Sequence, residues 1–122
     1  MHKGSQPNND LVIDWKLGIK LAGNKHDLAK DMLDWLVTSL PNEINAIRQA
    51  NKNKNFPELL KHVHKLHGAV CYCGVPRLKA TVSSFETALK NNETNEIDFF
   101  LLALEFEIAQ VLEKAAQMES DS

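Results

Sequence analysis

The sequence predicts an all-α fold: an antiparallel four-helix bundle with a short additional N-terminal helix. Three observations lead there. Apolar residues recur at helical spacing in four long segments. Glycine and proline are few, five and four in 122 residues, and most sit where those segments begin or end. No stretch alternates apolar and polar residues as a half-buried strand would.

Residues 1–10 are polar and read as a flexible linker or a cloning remnant, residues 11–118 as the bundle, and residues 119–122 as a flexible tail. Residues 11–22 are expected to form the short helix, ended by Gly23 and Asn24. Asn24, with Asp27 three residues on, is expected to cap the second helix in capping-box fashion. Its stripe is Ala29, Leu33, Leu36, Val37, Leu40, Ile44 and Ile47. Pro41 falls inside that stripe and implies a kink in one long helix, with a break into two as the alternative. Residues 51–55 (NKNKN) make a turn, and Asn55 with Glu58 caps the third helix. Phe56, Leu59, Val63, Leu66, Val70 and Cys73 form its buried stripe, and Gly74 is expected to end it. Pro76 suits the first turn of a fourth helix that carries Leu78, Val82, Phe85 and Leu89 inward. Asn91 and Asn92 break the chain again. Asn95 with Asp98 is expected to open the last helix, with Ile97, Leu101, Leu104, Ile108, Val111 and Ala115 on its core face.

Charge narrows the function classes. Lys and Arg total 14 against 16 Asp and Glu, so there is no basic excess to hold a nucleic acid. No apolar run approaches the roughly 20 residues of a membrane span, and no direct membrane contact is expected. The N-terminus lacks the apolar region of a signal peptide. Cys71 and Cys73, one residue apart, are poorly spaced for a bridge, so a reduced, cytoplasmic setting is the reading.

Three of the five histidines, His62, His64 and His67, crowd onto the third helix. Stepping about 100° per residue from the centre of the buried stripe puts His64 at about 140°, away from the core. Gly68 stacks one turn above it and Leu60 one turn below. A mid-helix glycine costs about 0.5–1 kcal/mol relative to alanine. Clearance supplies a reason for it: without a Cβ at 68, a partner approaches the His64 ring closely. The plainer reading of an exposed helical histidine is a solvated residue. Against it stand the glycine on the same face and the apolar or small neighbours at 60 and 71.

The string His64-Lys65-Leu66-His67-Gly68-Ala69, followed by Gly74 and Leu78, resembles the signature of the histidine-containing phosphotransfer (HPt) domain. The resemblance runs from about residue 11 to residue 117, since helix order and lengths also fit. Ile13-Asp14-Trp15-Lys16-Leu17, Asp27-Leu28-Ala29, Met32-Leu33, Tyr72 and Val75-Pro76-Arg77 bring it closest to the C-terminal HPt module of BarA-type hybrid sensor kinases. The resemblance implies that His64 is the phospho-acceptor and Gly68 the clearance residue. It also implies that Glu86 hydrogen-bonds the ring nitrogen that does not carry phosphate, the plain alternative being a surface glutamate. The family's usual lysine three residues after the histidine is His67 here, which offers positive charge only when protonated. Lys61 and Lys65 stand at the edge of the same face as further sources of charge.

The implied reaction is phosphorelay from a receiver-domain aspartate to His64 and on to the aspartate of a response regulator. No intrinsic cofactor is expected: no P-loop or Gly-rich strand-turn-helix is present, and Mg²⁺ would come with the receiver. Leu60, Lys61 and Cys71 are the expected docking surface around His64. A second stripe, Leu28, Met32 and Trp35, is expected to pack under the N-terminal helix, with receiver contact as the other reading. Phe99, Leu102 and Phe106 are expected to cover a core seam. A monomer is expected, forming the cytoplasmic C-terminal part of an inner-membrane sensor kinase. Two rival classes remain. One is a metal-binding bundle using His64, His67 and Cys71, at i, i+3 and i+7, though no fourth ligand or well-spaced cysteine pair accompanies them. The other is a helical scaffold without chemistry.

Overall fold

A computed structural model describes residues 11–120. The order of elements is α1 (Trp15–Leu21), α2 (His26–Lys52), α3 (Phe56–Val70), α4 (Pro76–Lys90), a 3-10 turn (Thr94–Glu96) and α5 (Ile97–Ser120). Helices α2 to α5 form the antiparallel bundle and α1 lies against α2. No strand occurs among the described residues. The linker expected at residues 1–10 lies outside the described residues, as do the last two positions of the expected tail. Glu119 and Ser120 belong to α5.

The bundle forms because each helix buries one apolar stripe. Ala29, Leu33, Leu36, Leu40, Ile44 and Ile47 of α2 meet Leu59, Val63, Leu66 and Val70 of α3. Leu78, Val82, Phe85 and Leu89 of α4 and Ile97, Leu104, Ile108, Val111 and Ala115 of α5 close the core. Val37, Phe56 and Leu101 pack against its edge, only partly buried. Phe85 is fully buried and stacks on Phe100, ring centroids 5.5 Å apart. Burying a side chain of this size is worth on the order of 2–3 kcal/mol.

Several boundaries differ from the sequence expectation, each for a local reason. The first helix starts at Trp15 rather than residue 11, because Asp14 is its N-cap and accepts from the Leu17 amide at 3.1 Å. The preceding Ile13 is buried in the core. Asn24 does not cap α2. Gly23 and Asn24 are both left-handed, at φ 69° and 67°, so extended Lys25 becomes the N-cap, without a side-chain bond. The second helix runs unbroken through Pro41, which sits on its exposed face. Asn55 does cap α3, accepting from the Glu58 amide at 3.2 Å. That helix ends at Val70, four residues before Gly74. Asn95 lies inside the 3-10 turn, so α5 begins at Ile97 without the expected Asn95–Asp98 cap.

Gly74 has a different task. A Cβ there would lie 2.2 Å from the Asp14 carbonyl oxygen and 2.7 Å from the Gly18 nitrogen. The Asp14 amide donates to the Gly74 carbonyl at 2.7 Å. Two backbones thus touch directly, and the contact pins the start of α1 onto the α3–α4 turn.

Candidate functional site

The face of α3 that carries His64 stands beside α4. His64 presents 70% of its side chain to solvent, whereas Glu86, four residues before the end of α4, is 5% exposed. Nδ1 of His64 is hydrogen-bonded to Oε2 of Glu86. Nδ1 of His67 is hydrogen-bonded to the other oxygen, Oε1, at 2.5 Å. Nζ of Lys90, one turn along α4, is 3.3 Å from Oε2. One buried carboxylate therefore serves two imidazoles and an ammonium group.

These partners decide its ionisation. Burial pushes the Glu86 pKa up, but the hydrogen bonds from His64, His67 and Lys90, with the charge of Lys90, outweigh it and hold the value at about 2, against an ordinary 4.5. A carboxylate has no proton to donate, so both Nδ1 atoms must carry theirs. In its neutral form, His64 then has its lone pair on Nε2, at the far edge of an exposed ring. That is the tautomer a nucleophile needs.

Gly68 follows one turn on. A Cβ built there meets nothing within 4 Å among the described residues. Among the described residues nothing requires glycine at this place, in contrast to Gly74. Beside it runs a groove of about 390 Å³ between α2 and α3, lined by Met32, Trp35, Gly68, Ala69, Tyr72 and Cys73, with Asp31 and Lys65 at its edge. Trp35 and Tyr72 are 58% and 61% exposed. Only Met32 of the second α2 stripe packs against the core; Leu28 and Trp35 are exposed, so the expected packing under α1 does not hold for them. Phe99, Leu102 and Phe106 likewise stand exposed on α5 rather than covering a seam.

Of the other residues singled out in the sequence, Lys65 pairs with Glu43 at 3.3 Å and Lys61 with Glu58 at 3.7 Å. Both ammonium groups thus have carboxylate partners on α2 and α3. His62 also faces Glu58, at 3.4 Å. Leu60 and Cys71 are half-buried, and neither they nor Lys61 line the groove. Cys73 is buried, which pushes its thiol up to about 11 and keeps it unreactive. Among the described residues, no group of three or more His, Cys, Asp or Glu is arranged to hold a metal ion. No described helix is long and apolar enough to cross a membrane. Lys90 is a further partner that the sequence reading does not single out, and its i+4 spacing from Glu86 is the signal for it.

Comparison with known proteins agrees with this geometry. The Hpt domain family matches residues 31–120. Sensor protein GacS of Pseudomonas syringae pv. syringae is 42% identical over 103 residues, covering 80% of this chain and 11% of the relative. Signal transduction histidine-protein kinase BarA of Escherichia coli K12 is 34% identical over 112 residues, covering 91% of this chain and 12% of the relative. The chain thus spans about an eighth or less of these relatives' length. The crystal structure of the HPT domain from a sensor hybrid histidine kinase of Shewanella superposes with a TM-score of 0.82 at 34% identity, over 91% of this chain and 96% of that one. With its helical bundle, exposed histidine and neighbouring glycine, the chain belongs to the Hpt domain family.

Proposed function

We propose that the chain is a phosphorelay intermediate in two-component signalling, accepting a phosphoryl group on Nε2 of His64 from a receiver-domain aspartate and passing it to the aspartate of a response regulator. One observation carries this reading: the exposed His64 ring has its Nδ1 held by buried Glu86 and stands next to a glycine that no contact among the described residues requires.

In the accepting step, the Nε2 lone pair attacks phosphorus and the bond from phosphorus to the aspartate oxygen breaks. The bonding pair leaves with the aspartate carboxylate. The Nδ1 proton stays on the ring, and the positive charge that develops there lies against the Glu86 carboxylate. Return transfer reverses these changes at the second aspartate. Most of the rate comes from alignment and charge neutralisation. Mg²⁺ comes with the receiver, held by the receiver's carboxylates. This chain contributes the nucleophile, its fixed tautomer and a docking surface, for which the Met32–Trp35–Tyr72 groove is the apolar part. The relatives, named a sensor protein and a signal transduction histidine-protein kinase, support its working as a module of a larger signalling kinase, for which we propose the cytoplasmic end of a membrane-bound protein.

The test is phosphorylation by phosphoramidate of the wild type and of His64→Gln, mapped by mass spectrometry, followed by transfer to a receiver domain with Mg²⁺. Acid-labile label on His64, absent from the variant and transferable, is the expected result. Label confined to His62 or His67, or none, overturns the proposal and brings the metal or scaffold readings forward.

A further inference from the structure

The two oxygens of Glu86 are not held alike. Oε2 meets both His64 and Lys90, whereas among the described residues Oε1 meets His67 only. A glutamate carboxylate turns about a soft terminal torsion. The Lys90 side chain is 58% exposed and its ammonium group is tethered by a flexible stem, so it fixes the plane of the carboxylate poorly. His67 differs. Its ring is 27% exposed, wedged between α3 and α4, and its Nδ1 is 2.5 Å from Oε1.

We propose that His67 is a positioning residue for the phosphotransfer: by donating Nδ1–H to Oε1, it locks the Glu86 carboxylate in the plane that presents Oε2 to His64, and so fixes the Nδ1–H tautomer of the nucleophile. This rests on His64 being the phospho-acceptor and adds a second histidine that acts through the glutamate. It also gives the residue at 67 a job other than lending charge to the phosphoryl group, because the nitrogen resolved in a hydrogen bond faces Glu86. His67 itself is a poor acceptor: it holds the same tautomer, but much less of its ring reaches solvent than the 70% of His64.

The test separates the two claims. Nitrogen-15 spectra of the unphosphorylated domain report the tautomer of each ring without any transfer. In the wild type, both His64 and His67 are expected as Nδ1–H tautomers. In His67→Leu, which removes the donor, His64 is expected to become a mixture of tautomers and its acceptance of phosphoryl from a receiver to slow about tenfold, the low end of what is lost when the hydrogen-bond partner that orients a metal-ligating histidine is removed. In His67→Asn, whose amide N–H falls where Nδ1 was, both readouts should return to within about threefold of wild type. A wild-type His67 that lacks the Nδ1 proton overturns the proposal whether or not His67→Leu folds. So does His67→Leu with an unchanged His64 tautomer and rate, or His67→Asn as impaired as His67→Leu. Failure of the wild type to accept phosphoryl on His64 is a different result: it removes the relay reading and leaves the tautomer measurement to decide the role of His67.

Discussion

Glu86 lies buried directly under the exposed ring of His64, so a side chain out of reach of water sets the proton position of one that water reaches freely. The same burial that disfavours the carboxylate ion makes its three cationic or N–H partners count for more. The Glu86 pKa is held at about 2 in the folded chain, against an ordinary 4.5. A lowered carboxylate pKa contributes stability that is complete above the unfolded value and is lost as pH falls towards the folded one.

Acid unfolding should therefore show this residue. From pH 6 to pH 3, the wild type is expected to lose about 2 kcal/mol through Glu86. Glu86→Gln, which cannot ionise, should lack that component, so its stability falls less over the same window. Urea titrations at the two pH values measure it, and parallel losses for the two proteins would contradict the assignment.

Gly68 sets stability against function. A Cβ at 68 meets nothing within 4 Å among the described residues, and glycine inside a helix is worse than alanine by about 0.5–1 kcal/mol. Gly68→Ala is expected to raise stability by about that amount, seen as a higher denaturation midpoint. Phosphorylation by phosphoramidate should be unaffected, while transfer from a receiver domain slows, because only the protein partner needs the space. Equal rates with both donors would count against clearance as the reason for the glycine.

The four stripes, the Asn55 cap and the Pro76 helix start were legible in the sequence because each depends on spacing or on a residue's own backbone preference. The misplaced ends share a cause that lies elsewhere in the chain. The short helix begins at Trp15 because Asp14 caps it and is bonded to Gly74, sixty positions on. Asn24 loses its capping role because it takes a left-handed turn next to Gly23. At the site, the helix wheel placed His64 on the open face, and the resemblance supplied Glu86 as its partner. That His67 shares this carboxylate depends on how α3 and α4 pack, which no periodicity within either helix specifies. For Leu28 and Trp35, as for Phe99, Leu102 and Phe106, apolarity alone suggests packing, and apolarity does not say which surface stays open.

Gly74→Ala tests the backbone contact that docks α1. The added carbon would sit 2.2 Å from a carbonyl oxygen and 2.7 Å from an amide nitrogen, both backbone, so no side chain can swing aside to relieve it. A loss of about 2 kcal/mol or more is expected, with fast hydrogen exchange at the Asp14 amide as the N-terminal segment lifts away. Wild-type protection at that amide would show that the turn yields instead.

The α2–α3 groove and the α5 face are exposed apolar surfaces among the described residues that compete as docking sites, and paired truncations separate them. Trp35 is 58% exposed at the groove beside Gly68, and Phe106 is 55% exposed on α5. Neither is part of the buried core, so alanine at either position should change stability by no more than about 0.5 kcal/mol. A buried aromatic anchor at a protein interface is worth about 2 kcal/mol or more, roughly a thirtyfold change in affinity. Trp35→Ala is accordingly expected to weaken receiver binding by tens of fold, measured by calorimetry with Mg²⁺ present, and to leave phosphoramidate labelling of His64 intact. Phe106→Ala should bind as the wild type does. The direction follows from distance along the molecule: a receiver must place its aspartate at His64, and the groove reaches Gly68 on the same helix, one turn from that ring. Loss of binding in Phe106→Ala with Trp35→Ala unaffected would move the docking surface to α5 and leave the groove without that role.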